Sequence, residues 1–169
     1  MRYMNRSITF SVAFLAVTLF LLSFILSANA QTLYSCERGG DEAPFLHTIN
    51  SNTGATLTTT EITLAGFNVR GCNGMARHPE TDACYLMLNI DPEDDPPARR
   101  VLAIIDPIRG VATAIGVAEE TFATIAFTSD GTLYGVTGDG GGTPETLFTI
   151  DILNGTTTLV TALGNGDDG

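Results

Sequence analysis

From Thr32 onward, apolar and small polar residues alternate in short runs, the two-residue period of half-buried strands. No stretch beyond residue 31 sustains a 3.6-residue period. Glu119-Glu120 resembles the start of a helical turn, but Thr121 and Thr124 favour extended chain. The runs repeat. Thr32-Leu33-Tyr34, Ala83-Cys84-Tyr85 and Thr132-Leu133-Tyr134 align, with the Tyr residues 51 and 49 positions apart. Phe45–Ile49, Val101–Ile105 and Thr146–Ile150 align next, and Gly54, Gly110 and Gly155 each follow the final Ile by five residues. Between Ile and Gly lie turn compositions: Asn50–Thr53, Asp106–Arg109 and Asp151–Asn154. A β-rich run follows each Gly: Ala55–Thr59, Val111–Ile115 and Thr156–Val160. The later copies add a strand in front. Phe122–Phe127 turns through Ser129-Asp130-Gly131 into Thr132, and Gly74–His78 turns through Pro79–Asp82.

Four antiparallel strands in a unit of about 45–50 residues form the blade of a β-propeller. The repeated phrase, Leu-Tyr and then an apolar strand ending in an Asp/Asn-x-x-x-Gly turn, resembles secreted bacterial propellers of the NHL and YVTN kind. Many of those belong to families of unknown function. The resemblance implies an all-β chain, a partial propeller of about three blades over 31–169. The blades fall at about 32–66, 67–118 and 119–164, and the first lacks its first strand. Propellers usually close with four or more blades. Three arrangements are open: a piece of a longer product, copies that join into a ring, or a short open stack.

The first thirty residues have another pattern. Arg2 and Arg6 precede an apolar run from about Ile8 to Leu26, and Ser27-Ala28-Asn29-Ala30 places small residues before Gln31. This order is that of a secretory signal peptide over 1–30, cleaved before Gln31. An uncleaved anchor is the alternative, because the run is long. Leu33-Tyr34-Ser35-Cys36 loosely imitates a lipid-attachment box, but Tyr34 fits that box poorly. The expected location is secreted, periplasmic or at the cell surface.

Charge narrows the partners. The 169 residues hold 8 basic residues, all Arg, against 19 acids. The leader carries two of the Arg and no acid, so its removal leaves six Arg and a charge of −13. Nucleic-acid binding and docking on anionic lipid both need a basic face, and both are disfavoured. No membrane contact is expected once the leader is cut.

Three Cys remain: Cys36, Cys72 and Cys84. In an oxidising compartment one disulfide and one spare thiol are expected. Cys84 takes the place of Leu33 and Leu133 in the repeat and points into a core, so Cys36–Cys72 is the favoured pair, tying blade one to blade two. Three buried free thiols are the alternative. The loop between the second and third strands varies most, with 15, 20 and 16 positions from Tyr to Ile. Its copies hold Asp91–Pro97 and Gly138–Glu145. Clustered carboxylates there, or Asp167-Asp168, are candidates for Ca²⁺, although solvated acidic loops explain them as well. Gly138–Gly142 is no phosphate loop, since neither Lys nor helix follows.

His47 lies in a strand and His78 at a strand end. No nucleophile elbow and no HExxH is present. Asn154-Gly155-Thr156 is a glycosylation triplet where the host modifies exported chains. No residue is singled out as catalytic, cofactor-binding or metal-ligating, and no cofactor is indicated. The favoured reading is an exported propeller-like binding or scaffolding module whose ligand is a protein or glycan, with self-association through open blade edges as a further partner mode. A subunit of a propeller hydrolase or lyase and a calcium-dependent surface assembly protein are the alternatives.

Overall fold

The computed structural model describes residues 32–39, 43–92, 99–140 and 142–164. The leader expected over 1–30 and the acidic pair Asp167-Asp168 lie outside the described residues, as does most of the acidic segment after Asp91. Every regular element described is a strand. The chain is all-β, and its strands fall in three sheets in chain order, antiparallel except for one short pairing of β4 (Thr63–Leu64) with β8 (Val111–Ala118).

The first sheet contains β1 (Leu33–Cys36), β2 (Phe45–Ile49) and β3 (Thr56–Glu61). The second contains β5 (Phe67–Arg77), β6 (Cys84–Pro92), β7 (Arg99–Asp106) and β8 (Val111–Ala118), with the two-residue β4 (Thr63–Leu64) beside it. The third contains β9 (Phe122–Phe127), β10 (Leu133–Thr137), β11 (Thr146–Ile150) and β12 (Thr157–Ala162). The repeat seen in the sequence is a repeat of pairing. Leu33 faces Ile49, Cys84 faces Ile105 and Leu133 faces Ile150 across the corresponding strands.

The Asn/Asp-x-x-x-Gly turns share one chemistry. Asn50 Oδ1 accepts the N–H groups of Asn52 and Thr53, Asp106 Oδ1 those of Ile108 and Arg109, and Asp151 Oδ1 that of Leu153. The closing Gly donates to the carbonyl of the leading residue at 2.8 Å in all three copies. Each Gly has positive φ: +71° at Gly54, +71° at Gly110 and +79° at Gly155. The Ile108 and Arg109 N–H groups, assisted by the Arg109 side chain, hold the Asp106 carboxyl below its usual pKa. That turn therefore gains from ionised Asp106 above the ordinary carboxyl pKa. The gain is lost as pH falls through the depressed one.

Packing between the units also repeats. The Gly110 turn rests on the first sheet, where a Cβ would overlap the Glu61 carbonyl oxygen, and Gly110 O accepts the Thr63 N–H. The Gly155 turn rests on Gly116 of β8, with a Cβ only 3.0 Å from its backbone. A Cβ at Gly54 meets nothing within 4 Å among the described residues. Two cores result. Cys84, Leu86, Leu88 and Ile90 of β6 pack with Leu46 and Ile62 from the first unit. Tyr85 and Met87, on the opposite face of β6, pack with Phe122, Ile125, Leu133 and Phe148 of the third sheet. Each such side chain contributes roughly 1.5–3 kcal/mol of apolar burial.

Two details depart from the sequence reading. The first strand of the second unit, expected at Gly74–His78, runs from Phe67 to Arg77, and two bulges near Gly71 and Gly74 keep it paired with β6. The second sheet is also not an open four-stranded one. β4 pairs antiparallel with β5 at Phe67 and parallel with β8 at Val111 and Ala112, which closes β4 to β8 into a barrel. Glu119-Glu120 forms a bend and no helical turn.

The disulfide joins Cys36, at the end of β1, to Cys72 in β5, with Cα atoms 5.9 Å apart. It links the first unit to the second, beside a hydrogen bond from Cys72 N–H to the Glu37 carbonyl. It spans 36 positions, so replacing both cysteines by serine is expected to lower unfolding free energy by about 3–4 kcal/mol. Urea denaturation monitored by circular dichroism measures this.

The turn glycines supply a second test. Gly54→Ala meets only the strain of positive φ, about 1 kcal/mol, whereas Gly110→Ala adds a backbone overlap and should cost about 3 kcal/mol or more. Equal losses in denaturant melts of the two variants would show that the turn does not dock on the first sheet as described.

Candidate functional site

The described basic residues divide into two groups. Arg70 pairs with Asp91 at 2.6 Å, Arg77 with Asp82 at 3.2 Å and Arg109 with Asp106 at 2.8 Å. Arg99 is also engaged. Arg38 and Arg100 have no carboxylate partner among the described residues, and both line one cleft.

That cleft has a volume of about 470 Å³. It opens where the segment after β1, the start of β7 and the chain leading into β9 converge. Arg38, Asn73, Arg100, Thr121 and Asp139 are its polar lining, with the Cys36–Cys72 bridge in its wall. A neighbouring hollow of about 520 Å³ shares Arg100 and Thr121 and adds Asn89, Glu119 and Glu120. Register places Arg100 there, since it pairs with Asn89 across β6 and β7 and with Ala118 across β8. Burial first, and the Arg38 charge second, push the Arg100 guanidinium below its usual pKa. Arg100 Nε and Asn89 Oδ1 are both buried, and neither finds a hydrogen-bond partner. One is a donor and the other an acceptor, so the pair presents both halves of a hydrogen-bond site. Glu120 is already engaged by the Thr143 hydroxyl at 2.6 Å.

The residues weighed from sequence lie elsewhere. His47, in β2, sits between Thr59 Oγ1 at 3.0 Å and Glu37 Oε1 at 3.1 Å. This hydroxyl–imidazole–carboxylate row has the order of a catalytic triad, but neither cleft reaches it. Its evident work is to hold strands: Glu37 Oε2 accepts the Phe45 N–H, and Thr59 faces His47 across β2 and β3. His78 follows β5. Its Nδ1 accepts from the N–H groups of Glu80 and Thr81, so Nε2 carries the proton in the neutral ring. The ring packs edge-on to Phe127 at 5.0 Å between centroids. Among the described residues, no three His, Cys, Asp or Glu side chains gather as metal ligands. Asn154, in an exposed turn, accepts from both N–H and hydroxyl of Thr156. No described helix is long and apolar enough to cross a membrane.

Neither a protein-family model nor a curated protein sequence matches the chain. Sequence reasoning passed over the two-arginine cleft because Arg38 and Arg100 are 62 positions apart in different units. A local signal was present: Arg99-Arg100 opens an otherwise apolar strand.

Cys84, the free cysteine, opens β6 and is buried in the core shared with the first unit, and burial pushes its thiol pKa up. The thiol is therefore protonated and shielded at neutral pH. Iodoacetamide is expected to leave the native chain unlabelled and to add one group per chain in denaturant without reductant. Mass spectrometry of the two samples measures this, and labelling of the native chain would contradict the burial.

Proposed function

We propose that the chain is an exported, β-propeller-like module that binds or scaffolds a partner and has no catalytic site of its own. The observation that carries the reading is the repeated register: the same Leu/Cys-to-Ile pairing recurs in three successive sheets. The Gly110 and Gly155 turns support it, each seated on the sheet before, as blades seat around an axis. The leader pattern of residues 1–30 supports export.

Self-association belongs to this proposal. Among the described strands β1 is an edge strand, whereas its counterparts β6 and β10 are each flanked on both sides. Its free edge is suited to a strand from another copy.

Size-exclusion chromatography with light scattering, on protein recovered after expression of the full chain, tests the reading with and without Ca²⁺. A discrete oligomer in both conditions is expected from edge pairing. A monomer in both refutes self-association, and an oligomer only with Ca²⁺ favours the assembly-protein reading. Stoichiometric reaction with a serine-hydrolase or glycosidase covalent label would overturn the non-enzymatic reading.

A further inference from the structure

We infer that the cleft between Arg38 and Arg100 binds a hydroxylated carboxylate, of the class represented by uronic-acid sugars. The inference rests on reading the chain as a binding module and names the chemistry of its ligand.

The argument starts from charge. With six Arg against 19 acids after residue 30, an arginine without an acid partner among the described residues is unexpected. Two of them meet in one cleft, and Arg38 is close enough to depress the Arg100 pKa. Two like charges, one of them half-buried, destabilise the free protein unless an anion arrives. A carboxylate is the natural counter-group, because its two oxygens match the guanidinium fork. The orphaned atoms add the second requirement. Arg100 Nε needs an acceptor, and Asn89 Oδ1, in the adjoining hollow that shares Arg100 and Thr121 with the cleft, needs a donor; both atoms are buried. A hydroxyl beside the carboxylate supplies donor and acceptor together. Asn73 and Thr121 add polar groups for further hydroxyls. The volume of about 470 Å³ lies within the range of small-molecule sites, roughly 300–1,000 Å³. Asp139 lines the same cleft, so a simple dianion is less suited than a monoanion bearing neutral hydroxyls.

The test is a ¹H–¹⁵N NMR titration of the full-length product with sodium galacturonate, galactose, sodium acetate and sodium sulfate in turn. Galacturonate should saturate, with shifts at the Asn73, Arg100 and Thr121 amides. Acetate and galactose should each bind at least about tenfold more weakly, since each satisfies only half of the site. Arg38→Gln and Arg100→Gln should each weaken galacturonate by at least about tenfold. Neither should lower the melting temperature, because each removes a repulsion. The exposed Arg38 keeps the test decisive if Arg100→Gln fails to fold. No saturable shift with galacturonate, an equal response to galactose, or undiminished affinity in folded Arg38→Gln overturns the site. Sulfate binding as tightly as galacturonate overturns the hydroxyl requirement. If the anions fail to bind while the chain keeps its oligomeric mass, the ligand assignment falls and the module reading remains.

Discussion

The structure depends on one constraint: the second sheet has no solvent face along its middle strands. Leu86 and Leu88 serve one core while Tyr85 and Met87 serve the other. A strand buried on both sides cannot alternate apolar with polar residues. Cys84–Ile90 is accordingly almost continuously apolar, broken by Asn89 where the sheet reaches the hollow beside the cleft. β3 and β12 have mostly exposed residues because each is an edge strand of its sheet. Burial therefore ranks the three units, with the middle one depending on both neighbours.

The turns translate that burial into a regular stack. An Asx side chain closes the loop on itself, and glycine then removes the only atom that would keep the loop away from the preceding sheet. The glycine thus has two separable uses, positive φ and close approach. Gly54 requires only the first, since no unit lies before it in the described chain. The disulfide reinforces the junction between the first unit and the second, where the first sheet has only three strands to offer.

Much of this was legible in the residues. Period-two alternation marked the strands, the Leu-Tyr and Ile-to-Gly phrases marked the register, and the place of Cys84 in the repeat left Cys36 and Cys72 as the pair. What escaped has physical reasons. The front half of β5 escaped because two bulges interrupt its alternation before Gly74. The closure by β4 rests on pairs made by only two residues, too few for any periodicity. The cleft escaped because Arg38 and Arg100 are set apart from the other arginines only by meeting no carboxylate among the described residues. Pairing partners are set by tertiary structure, so composition could only show that Arg is scarce.

The two-sided burial of β6 also has a consequence in time. When Ala118 has been made, the second sheet is complete in its strands, yet Tyr85, Met87 and Leu102 still await the third sheet that covers them. Synthesis from Glu119 to Ala162 takes roughly 2–9 s at ~5–20 residues per second. During that interval the nascent chain presents a finished apolar wall to its surroundings. Holding factors that shield such a wall would therefore bear on the yield of this protein.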